Sequence, residues 1–205
     1  MSWKRLTTEF LTSDKAKSLV YLTPPHAPSL VTTISPNDTV NVGAFEQTML
    51  CSNSPPMILL AISPKSDTLH NLRDTKECVI GFPYPDKLQE TYDAGVRLRR
   101  GESELDVIKG LITVESETVT PPRLEQCWFS AEGRLVWDKE SGDHVTCCIE
   151  ITSVVIDESV WDEDSVKRRT GLPASYYATS GEFFSPGEWK HIDMSEDVKN
   201  MEHAD

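Results

Sequence analysis

Short β-branched runs, each closed by turn residues, constrain this chain more than any other feature. SLVTTI (29–34) and TVNVGAF (39–45) flank the polar turn SPND, and HVTCCIEITSVVI (144–156) is the longest run of the kind. Val, Ile and Thr fit a pleated, half-buried surface, and two such runs around a short polar turn signal a β-hairpin. The sequon-like Asn37-Asp38-Thr39 falls in that turn and reads as turn chemistry. MILLAI (57–62) and ECVIGF (77–82) are apolar at successive positions, as in strands covered on both faces and placed inside a sheet. LITVES (111–116) and CWFSAEGRLVW (127–137) continue the pattern, so the expected class is mainly β.

Helical signals are brief. Ser66 is placed to cap a helix that turns Leu69 and Leu72 inward at i and i+3, with Arg73 in its last turn. Asp86 to Leu98 has helical composition, with Leu88, Tyr92 and Val96 on one face, and Glu104 to Lys109 adds a turn or two. These segments read as short helices covering the sheet. Residues 157–169 switch to mixed charge, and the last eighteen residues hold too few apolar side chains to anchor a strand. The expected organisation is an N-terminal arm (1–28), one domain (29–187), and an acidic tail (188–205) that is mobile or packed on a partner.

Charge narrows the function. The 20 Lys and Arg stand against 33 Asp and Glu, a net charge of -13 over 205 residues, and that field repels nucleic acid and anionic membrane. No apolar run approaches the ~20 residues that span a bilayer, and MSWKRLTTEF lacks the apolar core of a signal peptide. A cytoplasmic protein is expected. The five cysteines include no C-x-x-C pair, which favours free thiols over a disulfide scaffold or a zinc site. Ser-His-Asp, H-E-x-x-H, Gly-rich phosphate-loop and paired-carboxylate patterns are all missing.

From Ser29 to Pro186 a series of short landmarks recurs in a telling order. They are Thr32-Thr33, Asn41-Val42, Pro55-Pro56, Ser63-Pro64-Lys65-Ser66-Asp67-Thr68 leading to Asn71-Leu72, then Gly142-Asp143-His144 and Tyr176-Tyr177. In order and spacing the chain resembles the flavin reductase-like family. That resemblance implies an FMN-binding split β-barrel with short covering helices, paired into a homodimer with flavin near the seam.

The resemblance also assigns roles. Ser63, Lys65, Ser66 and Thr68 would surround the FMN phosphate at a helix start, where unpaired amides and the dipole favour an anion. The plain alternative is that Ser66 and Asp67 only cap the helix while Lys65 is solvated. Gln47, Thr48, Met49, Leu50, Cys51 and Ser52 would bed the flavin ring, largely through backbone atoms. Taken alone, TMLC reads equally as a buried β segment. His144 is the candidate catalytic residue, beside the nicotinamide or the flavin edge, against a plain turn histidine. Tyr177, with Tyr176, would cover the flavin, fill the dimer seam or pack in the core.

Two positions depart from the family pattern: Glu46, where a small hydroxyl residue is common, and His26, where an Arg or similar donor is common. The implied activity is hydride transfer from NADH or NADPH to flavin, then electron transfer to an unidentified acceptor. Two other readings stay open: an FMN-binding electron carrier or sensor without nicotinamide activity, and a β-barrel interaction protein without flavin.

Overall fold

The computed structural model describes Thr8, residues 23–179 and residues 181–187. The expected acidic tail and most of the expected arm lie outside the described residues. The SPND turn closes the hairpin of β1 (Ser29–Ile34) and β2 (Val40–Phe45), in register from Ser29 opposite Phe45 to Ile34 opposite Val40. Asp38 occupies the left-handed region there, at φ 62°. Then follow β3 (Thr48–Asn53), β4 (Pro56–Ile62), α1 (Asp67–Thr75), β5 (Glu77–Pro83), α2 (Leu88–Asp93) and α3 (Glu104–Val107). After the short strands β6 (Thr113–Val114) and β7 (Arg123–Leu124) come the long hairpin of β8 (Cys127–Ser141) and β9 (His144–Ile156), α4 (Ser165–Gly171), β10 (Tyr176–Thr179) and β11 (Glu182–Phe184).

Seven strands form one antiparallel sheet in the order β2-β1-β5-β8-β9-β4-β3. The two edges, β2 and β3, are consecutive in the chain, so the sheet has to curl until they meet. They meet at one corner: Ser29 Oγ lies 2.8 Å from Thr48 Oγ1 and donates to the Phe45 carbonyl at 3.1 Å. The result is the expected mainly β split barrel.

Alternation decides what fills it. On β4, Ile58, Leu60 and Ile62 point inward beside Val31, Ile80, Cys147 and Ile149, while Met57, Leu59 and Ala61 lie half-buried on the outer face. Helix α1 turns Leu69 and Leu72 into this core, both at 0% exposure, as the i, i+3 spacing predicts. Arg73, in its last turn, forks onto Asp138 of β8. A second cluster, Leu30, Val42, Ala94, Ile108 and Leu124, lies beneath the segment that includes α2 and α3.

The helix expected over Asp86–Leu98 stops at Asp93. The Ala94 carbonyl accepts from Ala44 N–H on the free edge of β2, which draws the chain out of helical geometry. Tyr92 and Val96, expected on one face of that helix, are about half exposed, while Thr91 and Ala94 are buried. LITVES shortens to the two residues of β6, because the chain beyond it is held another way. The fully buried Glu132 carboxylate on β8 accepts from the amides of Glu117 (2.9 Å) and Thr118 (2.6 Å) and from the Thr118 hydroxyl (2.8 Å), with Arg123 at 3.8 Å. Burial pushes the Glu132 carboxyl up, but these donors outweigh it and hold it below the usual glutamate range.

Candidate functional site

Two adjoining cavities open beside β2, sharing Ala44, Phe45, Gly95 and Val96. One, of about 400 Å³, is polar and is lined by Ser63, Lys65, Ser66 and Thr68. The other, of about 880 Å³, is walled by aromatic rings.

The polar cavity is built on the start of α1. Ser66 is the N-cap residue, with extended backbone, yet its side chain makes no capping bond. The plain reading of Ser66 as a side-chain cap therefore fails, and its hydroxyl remains available. Leu69 and His70 donate their amides to the Ser66 carbonyl, while the amides of Asp67 and Thr68 have no partner among the described residues. Thr68 is fixed differently. Its Oγ1 accepts from Asn41 Nδ2 at 2.9 Å, both residues being buried, so β2 sets the hydroxyl's position. Gly43 makes this approach possible, because a Cβ there would sit 2.7 Å from the Phe45 ring and 3.0 Å from Thr68 Oγ1.

Across the cavity stand Arg97 and Arg100, which the sequence reading did not single out. The signal was the basic run VRLRR (96–100) in an acidic chain, masked by the reading of that stretch as a helix. Lys65, Arg97 and Arg100 make no side-chain hydrogen bond or ion pair among the described residues. Glu104 also lines the cavity, but its carboxylate is engaged, accepting from Val42 N–H at 2.8 Å. Burial pushes the Glu104 carboxyl above its ordinary range. Free amides, a free hydroxyl and three free cations in one concavity suit a phosphate monoester.

The wide cavity gathers Tyr92, Tyr177 and Phe183. Ring centroids lie 6.5 Å apart for Tyr92–Tyr177 and 5.1 Å for Tyr177–Phe183. Tyr177 is held by an N–H bond of 3.0 Å to the His26 carbonyl. Glu46 lines this cavity and not the polar one, and it interacts with His26. The two departures from the family pattern are thus neighbours, and Glu46 stands apart from the cation cluster. Partial burial raises the Glu46 carboxyl, and nearby His26 opposes that shift. An aromatic-walled space beside a cationic pocket matches a ring joined to a phosphate tail.

Gln47, Thr48, Met49, Leu50, Cys51 and Ser52 line neither cavity. Thr48 to Ser52 lie on β3, the sheet's edge, and Gln47 just before it pins its start through a carbonyl that accepts from Ala61 N–H at 3.1 Å. Met49 and Leu50 are each 60% exposed, so TMLC is not a buried segment in the single chain. His144 is also apart from both cavities. It ends the two-residue turn that Gly142 opens at φ 71°, one residue before Val145 pairs with Ile62, and its Nδ1 lies 2.8 Å from Asp143 Oδ1.

A family model described as a flavin reductase like domain matches residues 23–180. Three solved structures share the fold. Nitrilotriacetate monooxygenase component B from Bacillus cereus superposes with a TM-score of 0.84 at 16% identity, over 94% of this chain and 100% of that one. An FMN-binding protein from Thermus thermophilus gives 0.73 at 21%, over 94% and 99%. Flavoredoxin of Desulfovibrio vulgaris (Miyazaki F) gives 0.72 at 22%, over 85% and 94%. With a family match across nearly all the described residues, and a paired aromatic and cationic site inside it, the chain belongs to the flavin reductase-like family.

Proposed function

We propose that the chain binds FMN across the two cavities and acts as an NAD(P)H-dependent flavin oxidoreductase in the cytoplasm. The observation that carries this reading is the junction of an aromatic-walled cavity with one lined by unpaired cations and free helix-start amides. Lys65, Arg97, Arg100, Ser66 and the Asp67 and Thr68 amides hold the phosphate, with Ser63 at the rim. Tyr177 and Tyr92 cover one face of the ring, and the corner at Phe45 and Glu46 borders its other side. Bound flavin supplies a hydride acceptor that can pass electrons onward one or two at a time. The protein's part is to position the ring and exclude water, so that nicotinamide from NADH or NADPH can stack on it.

The chain is proposed to work as a homodimer. Met49 of β3 pairs with Leu59, Leu59 with Cys148, and Cys148 with Trp137, giving an apolar row across four strands of the outer face, with Met49 and Trp137 about half exposed or more. A second copy on that row would bring its own surface toward β3, and light scattering at micromolar concentration should report two chains. A monomer that still binds flavin would refute this. Exposed Cys51 and four further free thiols fit a reducing compartment. Among the described residues, no helix is long and apolar enough to cross a membrane.

The deciding experiment is spectroscopic. Purified chain should quench FMN fluorescence at micromolar concentration more strongly than riboflavin, and anaerobic NADH or NADPH should bleach the bound flavin within seconds. Likeness to flavoredoxin favours a second reading, an electron carrier without nicotinamide activity. That reading predicts no bleaching by either nucleotide but reduction by dithionite. Failure to quench FMN at all would remove both.

A further inference from the structure

Outside the two cavities, Cys51 and Cys148 both meet Met57 on the outer face of the sheet. Cys148 Sγ lies 3.7 Å from Met57 Sδ, and Cys51 Sγ donates to the Met57 carbonyl at 3.4 Å. The local fold explains the meeting. Between Leu50 and Ser52 the pairing of β3 with β4 slips by one residue, so Cys51 is the unpaired residue of a bulge opposite Met57. Met57 and Leu59 point to the same outer face of β4, and Leu59 pairs with Cys148 on β9. Cys148 is 2% exposed, Met57 half-buried and Cys51 exposed, so the cluster is shielded from one side and open at Cys51.

Two uses of such a thiol pair differ in geometry. A disulfide requires a Cα separation of at most ~6.8 Å. Cys51 and Cys148 sit on β3 and β9, the two strands that flank β4, so roughly two inter-strand spacings of ~4.8 Å separate their backbones. A direct disulfide is out of reach without moving a strand. Coordination is not. Metal–thiolate bonds of ~2.3 Å place three sulfurs around one ion roughly 4 Å from each other, close to the 3.7 Å between Cys148 and Met57.

We propose that Cys51, Met57 and Cys148 form a binding site for a soft monovalent d10 cation of the Cu(I) type. Two thiolates and a thioether are the donor set that selects Cu(I) over zinc, calcium or magnesium, which call for nitrogen, further thiolate or oxygen ligands. Among the described residues no group of three or more His, Cys, Asp or Glu offers such a hard or borderline site. Binding replaces the two thiol protons with two metal–sulfur bonds, so protons leave and no electrons move. All three donors come from one chain, and a second copy seated on this face would close the site over. The proposal does not depend on flavin.

The test is an anaerobic competition of the full-length chain against bathocuproine disulfonate for Cu(I). The chain is expected to withdraw one Cu(I) per polypeptide and to gain a near-ultraviolet thiolate-to-metal band. Cys51→Ser and Met57→Leu should each weaken binding by about tenfold or more, while Cys127→Ser, at the start of β8 opposite Pro83, should leave it unchanged. Because Cys51 is exposed, its Ser variant should keep the wild-type circular dichroism spectrum, which separates a lost ligand from a lost fold. No Cu(I) withdrawn by the wild-type chain, binding unchanged in Cys51→Ser, or an equal loss in Cys127→Ser would each overturn the assignment.

Discussion

The polar cavity at α1 and the pocket around Glu132 are built from the same materials and finished oppositely. Around Glu132 every donor is used: two amides and a hydroxyl point at one buried carboxylate, with Arg123 nearby. At α1 the cations Lys65, Arg97 and Arg100, the Ser66 hydroxyl and two helix-start amides have no partner among the described residues. A polar group satisfied inside the chain ties segments together, here the 115–122 loop to β8. One left unsatisfied over a concavity lowers the free energy only when something else arrives. The difference separates structural polarity from polarity kept for a ligand.

Breaking the satisfied side should have the largest effect. Glu132→Ala strands its buried donors and is expected to destabilise the chain by about 3 kcal/mol or more, read as a fall in Tm of at least roughly 6 °C, with FMN affinity little changed. A parallel loss of FMN affinity in material that remains folded would show that the two regions are one unit. The reverse experiment is Lys65→Ala with Ser66→Ala, which should weaken FMN about a hundredfold while leaving Tm and riboflavin binding nearly unaltered. Thr68 is spared in that pair because its hydroxyl holds Asn41 and belongs partly to the structural side. Equal effects on FMN and riboflavin would move the phosphate elsewhere.

A smaller effect is expected from Arg97→Gln with Arg100→Gln, since both side chains are exposed and screened by salt. FMN should weaken by about tenfold at low ionic strength and less at high salt. A loss independent of salt would point to packing.

pH sharpens the comparison further. Glu132 has a depressed folded-state value, so its contribution is complete above the ordinary 4.5 and is lost as pH falls through the folded value. The stability gap between wild type and Glu132→Gln should therefore be widest at neutral pH and shrink below about pH 4, as measured by denaturant unfolding. A gap that grows in acid would reverse the assigned direction. The least effect belongs to His144→Ala, at a hairpin tip away from both cavities. FMN affinity should not change, and slower bleaching by NADH would be the sign that a second copy brings this histidine to the flavin.

Much of the molecule was legible in one dimension. The hairpin of β1 and β2, the boundaries of β9, and the inward turn of Leu69 and Leu72 follow from nearest-neighbour chemistry: β-branched runs, turn residues and an i, i+3 spacing; the grouping of Ser63, Lys65, Ser66 and Thr68 is what the family resemblance implies. The second half of the site follows from neither. Arg97 and Arg100 enter the cavity because helix α2 ends where Ala94 bonds across to Ala44, some fifty residues earlier in the chain. Glu46 faces His26 instead of the cations because the two sheet edges meet at its corner. Cys51 meets Met57 side-on only because a bulge leaves it unpaired between Leu50 and Ser52. Local patterns determine which face of an element is apolar and where it starts, since those depend on neighbours within a turn or a pleat. Which free groups end up facing one another is decided by long-range pairing and by the curl of the sheet, whose geometry no local window contains.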